Sequence, residues 1–428
     1  MSSIKKNLNL IIALLTLSLN PVLAQNDIKE LRQELFEKHP LIKEISHKIE
    51  AQEAKTKSAK APSDPKIGLE VKTNDYPLNF GSIGDFPNNL IGISASKELK
   101  VLGKLSLKEE VEKSEKEKLI QELGLTKLIL QSNLKQAYFE IFFLDKSIEI
   151  YQKILKLLST IEGSVNSKYT VGKGTQYDLI RVQLETTKVI EKLETLKKDR
   201  ETIATEINAL AIRPVNAKFN GSYLDVTANG LELGELKEEK ILEISKANYP
   251  KLLAQGAVID KAVSASKLAK REYIPDINLK GFYGIRDNSD FGSLFSIGLE
   301  TSLPVFFSSK QRQEYIEAKK KLEAERQKYE DLEIQTLASS RKLFVQIEKS
   351  KVLTDILDDA LLPQANLAVE SSLATYKVGK TDFPSVLDSI NDLLRFQVEY
   401  YSELSKGLKS IAVLEPLLGQ EIGEFKND

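Results

Sequence analysis

The 428-residue chain contains no cysteine and no tryptophan, two histidines, and a single methionine, the initiator. Missing thiols exclude disulfides, thiolate chemistry and a lipid-modified N-terminal cysteine. With so few soft or imidazole ligands, no metal site and no cofactor is expected. His39 and His47 stand eight residues apart, about two helical turns, too far to share an ion. An excess of charge is missing too: 61 Lys and Arg against 62 Asp and Glu give a net −1, with no basic block. Nucleic acid is therefore excluded as a partner, since neutralising phosphates needs clustered cations. Nothing groups acid, base and nucleophile, so no enzyme is expected. Aromatics make up only 7% of the chain, which fits long helices better than a compact catalytic core.

Long apolar runs are absent beyond the N-terminus. Lys5 and Lys6, the run Leu8 to Leu19, and Val22-Leu23-Ala24 before Gln25 read as a secretory signal over residues 1–24. That run is shorter than the ~20 residues of a spanning helix. No helical membrane span is expected in the rest.

What the chain does have is a duplication. Tyr169-Thr170-Val171-Gly172-Lys173-Gly174 returns as Tyr376-Lys377-Val378-Gly379-Lys380-Thr381, each at the junction of two heptad-patterned segments. An internal period governs the fold and is settled first. In the first copy Leu134, Ile141, Ile148 and Leu155 recur every seven residues, and Ala137, Leu144, Tyr151, Leu158 and Val165 follow three later. That is a coiled-coil seam on a helix from Lys104 to Lys168, roughly 95 Å long. Leu179, Val182, Thr186, Val189, Leu193, Leu196, Ile203 and Ile207 return it, with Thr186 and Arg200 as polar interruptions. Thr175 and Asp178 suit its cap and first turn, and Arg213-Pro214 its end. Gly172 and Gly174 are expected at positive φ in the turn. The second hairpin runs from about Lys310 to Leu418.

Each hairpin follows two short alternating segments. Ile67, Leu69 and Val71 alternate with Gly68, Glu70 and Lys72; Ile91 and Ile93 with Gly92 and Ser94. Ile277 and Leu279 alternate with Asn278 and Lys280, although Gly281 and Phe282 blur the pattern; Phe295, Ile297 and Leu299 oppose Ser296, Gly298 and Glu300. Such alternation is the signature of an outer-membrane strand, lipid on one face and water on the other. It equally fits a half-buried strand of a soluble sheet. Four strands cannot close in lipid, where an unpaired edge leaves several kcal/mol per backbone group unsatisfied. Three chains give about twelve strands, within the range of known barrels. A homotrimer is therefore expected, closing both barrel and helical tube by cyclic symmetry. The polar hairpin tips Thr73 to Asn88 and Arg286 to Ser293 read as loops outside the cell.

The chain resembles the TolC family of outer-membrane efflux proteins. The resemblance rests on His39-Pro40-Leu41-Ile42 (Asn-Pro is commoner in the family), Ala61-Pro62-Ser63-Asp64-Pro65-Lys66, Lys100-Val101-Leu102-Gly103-Lys104-Leu105, Leu303-Pro304-Val305-Phe306 and the paired Tyr-x-Val-Gly tips. It implies a mainly α protein with a membrane β part: a trimeric twelve-stranded barrel, four strands per chain, continued by a periplasmic α-helical coiled-coil barrel. It divides the chain into a first repeat at 25–213 (strand pair 65–100, hairpin 104–212), a connector at 214–236, a second repeat at 237–418 (strand pair 274–304, hairpin 308–418) and a tail at 419–428. It implies a periplasmic adaptor (membrane fusion) protein docked at Tyr169, Val171, Gly172, Gly174, Tyr376, Val378, Gly379 and Lys380. An inner-membrane pump of RND or ABC type would stand beneath, and outer-membrane lipid around the strands. Asp178 and Asp388 match the acidic residues with which the family closes its periplasmic mouth, whereas Ser385 stands where many members carry another acid. Asp178 equally suits a carboxylate favoured by the helix dipole. The function so implied is an exit channel for an efflux system; type I protein secretion and a pore-free periplasmic scaffold are the alternatives.

Overall fold

The computed structural model describes residues 28–73, 89–101, 103–221, 223, 226–234, 236–286 and 292–422. The signal region, most of both strand-tip loops and the last tail residues lie outside the described residues. The duplication is visible in element order. The first copy holds α1 (Ile28–Lys38), α2 (Pro40–Lys60), β1 (Lys66–Lys72), β2 (Leu90–Leu99), α3 (Lys104–Thr170) and α4 (Gln176–Leu210). The second holds α5 (Glu238–Asn248), α6 (Pro250–Arg271), β3 (Ile277–Ile285), β4 (Leu294–Thr301), α7 (Gln311–Ile356), α8 (Leu362–Lys377) and α9 (Phe383–Leu418). A π-helical turn, Leu357–Leu361, joins α7 to α8. Pro363, which has no N–H for the helical ladder, follows directly and accounts for the widened turn. From Gln311 to Lys377 the chain is thus helical throughout, matching the 67 residues of α3.

The chain forms two compact units, one of residues 1–43, 126–247 and 337–428, the other of 44–125 and 248–336. The second unit contains a four-stranded antiparallel sheet in the order β1-β2-β3-β4, so β2 and β3 join the two copies. Around it the helices are held largely by polar contacts. Gln52 on α2 donates to both the carbonyl (3.1 Å) and the carboxylate (2.6 Å) of Glu112 on α3. Gln255 on α6 does the same to Glu325 on α7, at 3.2 and 2.6 Å. One side chain thus satisfies a backbone and a side-chain acceptor at once, in each copy. Lys104, the first residue of α3, is only 1% exposed. Its ammonium meets Glu272 and Asp276 at 3.1 Å each and donates to the Ile274 carbonyl at 2.7 Å. Lys100 reaches the other Asp276 oxygen at 2.8 Å. The turn leaving β2 is therefore pinned to the turn entering β3.

The first unit is aliphatic instead. Ile154, Leu158, Ile161 and Val165 of α3, Val182, Val189 and Leu193 of α4, Ala365 and Val369 of α8, and Val386, Leu387 and Ile390 of α9 share one core. Leu158, Val165, Val182, Val189 and Leu193 belong to the seam expected from the sequence, whereas Ile154 and Ile161 lie outside it and Ile148, Tyr151 and Leu155 are only partly buried against this core. Arg200, a polar interruption in the sequence, has a structural purpose. Its guanidinium pairs with Asp145 and donates to the Phe219 carbonyl at 3.0 Å, while the Tyr223 hydroxyl donates to Asp145 at 2.5 Å. Burial first, and then the Asp145 bond, push the Tyr223 phenol far above its usual range. The connector, expected as small elements, contains a 3₁₀ turn at Ala228–Leu231, whose Leu231 packs with Phe142, Leu404 and Leu408.

Candidate functional site: the helical tips and the one-sided sheet

Both helical tips are built by the same backbone device. After α3, Gly172 (φ 71) donates to the Tyr169 carbonyl at 3.0 Å and Lys173 to that of Lys168 at 2.8 Å. After α8, Gly379 (φ 75) donates to Tyr376 at 3.1 Å and Lys380 to Thr375 at 3.0 Å. A left-handed residue capping a helix by two crossed bonds favours glycine at that point. The returning helices start alike, with Thr175 accepting from the Asp178 amide and Asp382 from the Ser385 amide, both at 3.1 Å. Gly174 differs from expectation. It is not among the residues at positive φ; a Cβ there would lie 3.0 Å from the Tyr169 amide nitrogen, so close approach of the backbone selects it.

Beneath the tips Phe383, Val386 and Leu387 are buried with Val165 and Val182. Above that core Val171 (66% exposed) and Val378 (68%) stand free of it, and Tyr169, Gly172, Gly379 and Lys380 are exposed. Tyr376 is half-buried. Lys168 sits 3.6 Å above its ring and donates to its carbonyl at 2.9 Å, linking one tip to the other. Thr375 holds the place of Lys168 in the second copy, so the link is made once.

The acidic candidates separate. Asp178 is engaged at the start of α4: its amide donates to Thr175, whose hydroxyl donates back to its carboxylate at 2.8 Å. Asp388 is exposed on α9 and lies in the field of Arg181 on α4. Arg181 donates to the Tyr177 hydroxyl at 2.8 Å, and that bond, ahead of the attraction of Asp388, raises its pKa. Asp382, held below the usual carboxylate range by Ser385 and also attracted by Arg181, joins the group. Arg181, Tyr177 and Asp382 were not singled out in the sequence. The available signal was the 207-residue offset between copies, which sets Arg181 opposite Asp388 and Asp382 opposite Thr175.

The sheet sorts most of its residues by face, with Lys97 and Thr301 on the apolar side and Leu90, Phe282 and Leu294 on the polar side as exceptions. Ile67 pairs with Ala95, Leu69 with Ile93 and Val71 with Ile91. Ile91 pairs with Ile285, Ile93 with Tyr283 and Leu99 with Ile277. Leu279 pairs with Leu299, Gly281 with Ile297 and Tyr283 with Phe295. Directly opposed residues share a face, so every strand residue proposed to meet lipid lies on one side. That side is exposed: Ile67 78%, Leu69 73%, Phe295 66%, Ile297 68% and Leu299 75%. The opposite face presents Lys66, Gly68, Glu70, Gly92, Ser94, Ser96, Lys280, Ser296 and Glu300. Among the described residues no strand pairs with the outer edge of β1 or β4, no helix is long and apolar enough to cross a membrane, and no group of His, Asp and Glu is arranged to hold a metal.

Residues 241–419 match the family model described as Outer membrane efflux protein. The structure is similar to the outer membrane protein VceC from Vibrio cholerae, at 14% identity and TM-score 0.76, over 92% of this chain and 96% of that one. It is similar to the CmeC outer membrane channel of Campylobacter jejuni, at 15% and 0.71, over 94% and 88%. A third likeness is to the open state of the MtrE outer membrane channel of Neisseria gonorrhoeae, at 15% and 0.73, over 92% and 89%. Comparison with curated protein sequences finds no match. Residues 241–419 are thus similar to the outer membrane efflux protein family, and over nine-tenths of its length the chain has the fold of these solved outer-membrane proteins.

Proposed function

We propose that the chain is one protomer of a homotrimeric exit duct that passively conducts substrates from an inner-membrane pump and a periplasmic adaptor to the exterior. The observation that carries this reading is the sheet. An exposed face that is apolar except for Lys97 and Thr301 near the ends of β2 and β4 suits hydrocarbon, and two unpaired edges are untenable there. A pore-free scaffold would have no use for either. Three copies, joined β4 to β1, leave no free edge and turn the polar faces toward a common lumen. The tips, with Val171 and Val378 bare, are where the adaptor docks, and Asp388 with Arg181 stands at the periplasmic mouth.

Planar-bilayer recording of the purified protein, together with its mass in mild detergent, tests the reading. Discrete channels from a trimer are expected; a monomer that conducts nothing refutes it. At the mouth, three symmetry-related Asp388 carboxylates repel one another and gain by binding cations. Asp388→Asn is therefore expected to weaken block by divalent or trivalent cations. Unchanged block removes Asp388 from the aperture.

A further inference from the structure

Phe282 is the residue that blurs the alternation of β3, and its position explains why. It lies on the polar face of the sheet, opposite Ser94 and Ser296, yet only 6% of it is exposed. The space it occupies is made by two glycines paired across β2 and β3, Gly92 and Gly284. A Cβ on Gly284 would lie 2.8 Å from Phe282 Cε1 and 2.3 Å from Leu90 Cδ1; one on Gly92 would lie 2.7 Å from Phe282 Cζ. The ring is thus laid against the wall where side chains are missing. Lys72 closes over its other side, Nζ 3.9 Å from the centroid, a favourable cation–π seat. Leu90, 1% exposed, completes the patch. Lys72 and Leu90 pair at the ends of β1 and β2 that lead to the 73–89 loop, so the patch belongs to the outer end of the sheet.

We propose that Phe282 and Leu90, held flat between the Gly92–Gly284 pair and Lys72, form a collar that sets the bore at the outer end of the lumen. The proposal rests on the duct reading, in which the polar face lines the lumen and threefold symmetry repeats the patch around it. Its logic is steric. Polar strands alone leave the wall bare at two adjacent glycines, and a weakened, side-chain-free stretch of strand is commonly covered by an aromatic ring. A methyl added at Gly284 has to push the ring inward, because the atoms it meets there are side-chain ends, whereas at Gly92 it would first meet the Tyr283 carbonyl oxygen at 2.3 Å.

Single-channel conductance of the full-length protein in planar bilayers tests this. Gly284→Ala is expected to lower conductance, and Phe282→Ala added to it to restore or exceed the wild-type level. Phe282→Ala alone is expected to raise conductance, which keeps the test informative if Gly284→Ala fails to assemble. Wild-type conductance in Phe282→Ala alone, or a double variant that conducts no better than Gly284→Ala, overturns the collar while leaving the duct intact. Failure of the wild-type protein to conduct removes the duct and the collar with it.

Discussion

At the scale of single residues, stability is set by a few positions where polar or strained groups are over-determined by their surroundings. Ile212, just past α4, has φ 56, and Arg213 donates to the Asn208 carbonyl at 2.8 Å to close the helix. This is the glycine position of a helix terminator occupied by a β-branched residue, with a cost of roughly 1–2 kcal/mol. Ile212 is half-exposed, so little burial is lost on replacing it. Ile212→Gly is expected to stabilise the protein by about 1 kcal/mol, measured as a raised midpoint of chemical unfolding. Lys135 is the converse case. Its ammonium reaches Glu415 at 2.6 Å and Glu421 at 3.1 Å, and Arg32 pairs with Glu421, tying α1, α3 and the chain after α9 together. Burial pushes the Glu415 carboxyl above its usual range, against the pull of Lys135 and the Ile422 amide. An acid with a raised folded pKa keeps its proton where the unfolded chain has released it, so stability falls as pH rises through that window. Lys135→Met widens the window by leaving Glu415 unpaired. It is expected to cost about 3 kcal/mol near neutral pH. Unfolding at about pH 5 and about pH 8 checks the sign, the variant losing more at the higher value.

Elements were legible where one physical period dominates. The seven-residue spacing from Leu134 to Val165 places α3 correctly, and Leu134, Ala137, Ile141, Leu144, Leu158 and Val165 are all buried. Alternation likewise gives the strand faces, because a one-residue slip would expose lysine and glutamate where Leu69 and Leu299 lie. Contacts with no periodic trace were illegible: the Lys104 pin and the Arg200–Asp145–Tyr223 network join residues far apart in sequence. Phe282 was left as a break in the alternation for the same reason, since a cradle made by Gly284 together with Gly92 on the neighbouring strand has no local signature. The tips were legible through repetition of Val-Gly, and the turn geometry explains the glycine. Within the proposed function, Val171→Asp and Val378→Asp place charge on surfaces free of the core and are expected to abolish adaptor cross-linking without disturbing trimer mass. Retained cross-linking in the double variant argues against docking at these turns.

For the whole molecule, the sheet and the seams give different solvents to different parts of one chain. An apolar strand face and helices with Lys and Glu on their outer surfaces cannot be satisfied by water alone or by lipid alone. On the duct reading, the protein is expected to remain in the pellet after carbonate extraction of membranes; a scaffold would be released. The same division explains why the helices of one unit are joined by Gln52–Glu112 and Gln255–Glu325 while those of the other share an aliphatic core. Polar bridging fixes alignment where little apolar surface is available to bury.

The two helical tips share a backbone but not a side-chain complement, because Lys168 clasps Tyr376 and Thr375 offers nothing comparable to Tyr169. On the duct reading, the sixfold likeness of a trimer's tips would thereby be reduced to three alternating pairs of berths. A binding protein that recognises only the shared turn would load six to an assembly, and one that senses the lysine-capped ring would load three. Weighing the intact complex counts them, and so tells whether gene duplication here multiplied the sockets or made two kinds.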